Sequence, residues 1–289
     1  MVFMKHLFNH TCKSVFIITL VMVLSSCSVK TLYNQLDNLI PNYVEGMVSL
    51  DSMLEKKVEQ RSLLLIKWHR NTQLNQYAEW MRGVQSDINP QLSEEKIHEH
   101  IVILEGFWKS IRLRVDEEMA LLLPLLNKTQ RKELFSNIDE KNDEFHEKYL
   151  ELSNDERIVE YSDSIIENYE TWLGDLTDEQ EVLARQAATK LQSSASYRLE
   201  RRKDWQQTIK RILDTKNTEA QKTTALREFF SDYNRKDNLV MNTRMKKNKN
   251  IFSGLTLQIV HIMTEEQKVH FTNTTNDYIR MFEELVREH

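Results

Sequence analysis

Five glycines and three prolines in 289 residues are too few to build a sheet protein. Tight hairpins and phosphate-cradling loops depend on such residues for their turns. The abundant Leu, Glu, Lys, Gln, Arg and Met instead lose little side-chain freedom in a helix. The expected fold is all-α, a multi-helix bundle or irregular helical array of repeated helix-turn-helix units. The length suffices for one large core or two small ones.

The N-terminus follows another logic. Lys5 and Lys13 are the charges of the first 26 residues, and no acid precedes Asp37. Ser14 to Leu24 is an apolar run of eleven, within the roughly 7–15 of a signal-peptide core and short of the roughly 18 needed to span a bilayer. Leu24-Ser25-Ser26-Cys27 resembles the lipobox of bacterial lipoproteins, in which the chain is cut before the cysteine and that cysteine is acylated. The resemblance implies a signal peptide over 1–26, a lipidated tether over 27–42 and a helical periplasmic domain over 43–289. Several acyl chains on Cys27 would make a durable membrane anchor, at about 0.8 kcal/mol per buried methylene. Ser28, where an Asp would signal inner-membrane retention, implies the periplasmic face of the outer membrane.

Without residues 1–26 the remaining 263 carry 37 basic and 44 acidic side chains, a net charge of −7. Nucleic acid is therefore not an expected partner. Cys12 and Cys27 are the only cysteines, so the domain has no thiol left for a nucleophile, a disulfide or a metal. Charge is also segregated. Asp139 to Glu181 holds 16 acids and three bases, whereas Arg185 to Lys249 holds 17 bases and seven acids. Complementary helices lying side by side are the expected outcome.

Apolar spacing predicts helices over about 43–70, from Asn71 to Ile88, from Ser93 to Pro124, and over 128–152, 155–173, 178–213, 219–244, 251–262 and 265–287. Pro41 should end a short turn of helix in the tether. The stripe Ile97, Ile101, Leu104, Trp108, Ile111, Val115, Met119 and Leu122 should be packed against neighbours. One supersecondary unit recurs: an apolar helix end, a capping residue, and Gln three positions later. It occurs at Asn127/Gln130, Thr177/Gln180 and Thr264/Gln267, with a partial copy at Thr218/Gln221, and is the pattern of a capping box.

Leu176-Thr177-x-x-Gln180 and Met263-Thr264-x-x-Gln267 are similar to a motif of small periplasmic stress proteins of the Spy and CpxP type, although helix capping alone generates these residues. A broader likeness rests on the lipobox, Trp68-His69-Arg70, Tyr77-Ala78, Trp172-Leu173-Gly174-Asp175-Leu176-Thr177 and Arg201-Arg202-Lys203-Asp204-Trp205. These resemble a family of bacterial lipoproteins of unknown function. That resemblance implies an address and a helical fold, and no activity.

Arginines interrupt apolar stripes at Arg61, beside Trp68, and at Arg198 and Arg201, beside Trp205. An inward guanidinium needs an anion. Two explanations stand: an ion pair with the acidic segment, or a pocket for a carboxylate or phosphate flanked by the tryptophans. Glu95/His98 and Asp143/His146 have di-iron spacing but lack the further inward carboxylates, so no metal or cofactor is expected. No motif of hydrolase or phosphate chemistry is present. The expected function is non-enzymatic: an envelope protein-interaction module, chaperone-like or tied to envelope stress. The alternative is a binding protein for an anionic envelope ligand or polymer through Arg61, Trp68, Arg198, Arg201 and Trp205.

Overall fold

A computed structural model describes residues 26–233 and 239–288, and every regular element among them is helical. In order these are α1 (Ser26–Tyr33), α2 (Leu36–Glu45), α3 (Ser52–Thr72), α4 (Leu74–Asp87) and α5 (Glu94–Leu122), then a 3₁₀ turn (Leu123–Leu125). There follow α6 (Lys128–Leu150), α7 (Asn154–Leu173), α8 (Asp178–Lys190), α9 (Ala195–Leu213), α10 (Glu219–Tyr233), α11 (Leu239–His261) and α12 (Glu265–Arg287). The signal segment and the first two residues of the lipobox lie outside the described residues; Cys27 falls in the first turn of α1.

The capping boxes form as their residues predict. Asn127, Thr177 and Thr264 each accept from the amide three residues on, while Gln130, Gln180 and Gln267 reach back to the capping amide. Thr218 and Gln221 complete the same exchange. Two of these boxes are joined to each other. The Gln180 and Gln267 side chains, 0% and 3% exposed, exchange amide hydrogen bonds of 2.8 and 2.7 Å, so α8 and α12 start from one shared buried pair.

Three expected helices are divided differently. The first is cut at Gly46–Asp51, where the Asp51 carboxylate caps α3 by accepting from Met53 N and Leu54 N. Pro41 lies inside α2 rather than ending it. Its missing donor is outweighed by the turn that follows, where Val44 and Val48 pack on Leu54 and Leu126. The helix expected over 178–213 breaks at Leu191–Ser194, because α11 takes its peptide groups. Asn248 donates to Gln192 O at 2.9 Å and accepts from Gln192 N at 3.0 Å, and Arg244 donates to Ser193 O. The third, expected to run on to 244 and restart at 251, differs in its second half, where α11 runs unbroken from Leu239 through 245–250.

Helix α5 is the beam of the molecule, about 43 Å long at ~1.5 Å per residue. At its start Ile97 joins a core of α7, α8, α11 and α12 built on Ile165, Ala184, Ile259 and Phe271. At its end Ala120 joins a second core with Phe135, Ile209, Leu213 and Leu226. Between them the stripe is open: Leu104 and Trp108 are each 40% exposed. The expectation of continuous packing holds for the ends and fails for the middle, where neither core reaches across.

Residues 27–42, expected as a tether, are folded onto the body. Val29 and Tyr33 of α1 are buried among Leu74, Ala78, Tyr278 and Leu285 of α4 and α12. Lys30 pairs with Glu284 at 2.7 Å and Glu288 at 2.6 Å. No described helix is long and apolar enough to cross a membrane.

Candidate functional site

Residues 198, 201, 202 and 205 follow i, i+3, i+4, i+7 spacing and so share one face of α9. That face carries Arg198, Arg201, Arg202 and Trp205 into a cavity of about 860 Å³. Another part of the lining comes from the end of α2, the turn after it and the start of α3, with Tyr43, Val44, Met47 and Leu54. Met119, Leu122 and Trp108 of α5 and Leu134 and Ile138 of α6 supply the rest of the apolar lining.

The arginine face is held from below by a buried polar chain. Asn142 donates to Gln206 Oε1 at 2.9 Å, and Gln206 donates to Asp139 at 2.6 Å, which fixes the rotation of α9 on α6. Phe145, 1% exposed, offers its ring to the guanidinium carbons of Arg202 and Arg198 at 4.5 and 5.7 Å. Such contacts help to position a cation. Trp205 stacks on Phe230 at 6.1 Å.

Two more cations join them. Lys141 of α6 lines the cavity and pairs with Glu144 at 2.7 Å. Arg112 of α5 also lines it, and its Nε is buried with no hydrogen-bond partner. Burial raises the Tyr43 phenol pKa, an effect the charges of Lys141 and Arg202 partly offset. None of the described lining residues carries a carboxylate. The cavity is thus an apolar space with cations converging on it.

Arg61 and Trp68 do not reach it. Arg61 is bonded to Glu118, which is 6% exposed, and Arg114 lies 2.8 Å from the other Glu118 oxygen. Arg61 is therefore a structural ion pair, but its partner sits on α5 and not in the acidic segment. Trp68 stands edge-on to His69, ten residues further along α3 than the last cavity residue of that helix, Val58. Side-by-side packing of complementary segments does occur between α6 and α9. Described ion pairs of the basic segment also run to α5, as Arg227 to Glu117 and Lys249 to Glu105. Arg112, Lys141, Arg202 and Tyr43 were missed as site residues. Arg202 was detectable from its i+4 relation to Arg198, and Arg112 from its i+4 relation to Trp108; the other two have no local signal.

A second polar cluster lies at the α1 end. His69 is hydrogen-bonded through Nδ1 to the Tyr33 hydroxyl at 2.9 Å and through Nε2 to the Tyr77 hydroxyl at 3.2 Å. Burial, with a contribution from the Arg70 charge, pushes the His69 pKa down to about 4. Burial raises Tyr33 to about 12, against the pull of Arg70, and raises Tyr77 as well. This chain of rings fastens α1 to α3 and α4. Among the described residues no three His, Cys, Asp or Glu side chains gather as a metal site.

A family model matches residues 46–239, about two thirds of the chain. The chain belongs to DUF6279, a family of unknown function. No curated protein and no solved structure matches it. The DUF6279 region takes in α3 to α10, and with them the arginine face and most of the cavity. Helix α12, which holds α1, lies outside the DUF6279 match.

Proposed function

We propose that this DUF6279 member is a lipid-anchored, non-enzymatic binding protein of the bacterial envelope, tethered through Cys27 to the periplasmic face of the outer membrane. It takes an anionic ligand between α2, α5, α6 and α9. The observation that carries this is the convergence of Arg112, Lys141, Arg198, Arg201 and Arg202 on one cavity whose described lining has no carboxylate. Cations held in an apolar, partly dry space attract an anion far more strongly than the same charges in water. The test is titration of the purified chain with the fluorescent anion anilinonaphthalene sulfonate. One site is expected, weakened about tenfold by each of Arg198→Gln and Arg202→Gln, the equivalent of ~1.4 kcal/mol, with helicity unchanged. Undiminished binding in the double variant refutes the site. The anchor has its own test: Cys27→Ser should abolish lipid labelling and release the chain from the membrane fraction.

The open middle of α5 supports a second role, as a protein-interaction module. Val102 and Ile103 are 51% and 42% exposed beside Leu104 and Trp108, an apolar patch of the kind that marks contact surfaces. Photocrosslinking from position 103 in cells should capture a discrete partner if this surface is used, and capture nothing if it is not.

A further inference from the structure

Resting on the groove reading above, we infer that the ligand is a single-chain anionic amphiphile, an acyl chain ending in a carboxylate or phosphate. Two features of the cavity separate this from a sugar polymer or a small free anion. Much of its lining is hydrocarbon and thioether, from Leu54, Leu122, Leu134 and Ile138 with Met47, Met119 and Met241. Methionine adapts its shape to flexible apolar guests. The one side-chain amide among the described lining residues, Asn142, already donates to Gln206. A glycan would bring many hydroxyls to a lining whose side-chain acceptors are the Tyr43 and Tyr197 hydroxyls and Asn142 Oδ1, and burying the remainder unpaired is costly. A small anion would satisfy the cations and leave the apolar part to water.

Size points the same way. A methylene occupies roughly 30 Å³, about the share of one water in the liquid, so sixteen carbons need about 480 Å³ and two such chains about 960 Å³. The 860 Å³ cavity has room for one such chain and its head group. The head group belongs at the cations of the lining, among which Arg112 has a buried Nε with no hydrogen-bond partner. The tail then lies along the apolar side chains of the lining.

Displacement of anilinonaphthalene sulfonate from the full chain tests the assignment. Hexadecanoate should displace it one to one, with affinity falling up to about fourfold for each methylene removed. Hexadecanol and acetate should each be at least tenfold weaker than hexadecanoate. Ile138→Trp and Val44→Trp should each cost hexadecanoate tenfold or more. If the probe binds but no chain displaces it, or acetate and phosphate match hexadecanoate, the amphiphile is wrong and the anion site survives. Equal binding of hexadecanol and hexadecanoate overturns the anion site too. Uptake of two-chain phosphatidate from vesicles as tightly as hexadecanoate overturns the single-chain assignment.

Discussion

Acid should loosen the protein through His69, and the size of the effect follows from its surroundings. The ring is neutral in the fold because burial and the Arg70 charge hold its pKa near 4, against 6.5 in the free side chain. The unfolded chain therefore binds more protons between pH 6.5 and about 4, so the stability contributed by the neutral ring is lost as pH falls through that window. At pH 5 the unfolded ring is almost fully protonated and the folded one about a tenth protonated, a loss of about 2 kcal/mol. Urea unfolding at pH 7.5 and 5.0, for the native chain and for His69→Gln, isolates this contribution. Glutamine offers Tyr33 and Tyr77 a donor and an acceptor but does not titrate. The native chain should lose about 2 kcal/mol more than the variant on acidification. Losses equal within about 0.5 kcal/mol, the ordinary limit of additivity, would refute the assignment of the ring as the acid-sensitive element.

Glu118→Gln leaves Arg61 and Arg114 facing a neutral partner and should cost about 3–5 kcal/mol by urea unfolding, whereas Arg61→Met with Glu118→Met together should cost much less. A double mutant no more stable than Glu118→Gln would contradict this. Gln180→Ala strands the Gln267 amide and removes one cap partner, for about 2–3 kcal/mol. Adding Gln267→Ala should cost little more, and strictly additive losses would show that the two amides do not act as a pair.

What the sequence made legible is what is local. A cap and its glutamine lie within one turn, so Asn127/Gln130, Thr177/Gln180 and Thr264/Gln267 are readable without knowing what packs on them. The joining of Gln180 to Gln267 is not, because 87 residues separate them. The break at Leu191–Ser194 has the same cause: no Gly or Pro announces it, and the side chains that hold it open belong to α11. At the site, the arginine face of α9 is a helical period and was visible. Part of its apolar lining comes from residues 43–50, which read as the first turns of the helix expected over 43–70, and the choice between ion pair and pocket for Arg61 stayed open because its partner Glu118 is 57 residues away.

The clasp between α1 and α12 fixes an order of assembly. The side chains that receive Val29, Lys30 and Tyr33 include Tyr278, Glu284, Leu285 and Glu288, a stretch made after every other described helix. Helices α2 to α6 can meet through Val48, Leu54 and Leu126 well before that. During synthesis α1 lacks the α12 half of its seat, and it stays the more open until α12 arrives. A chain stopped at His261 should accordingly show α1 unprotected in hydrogen exchange, while protection there equal to the full chain would mean that α4 alone holds it.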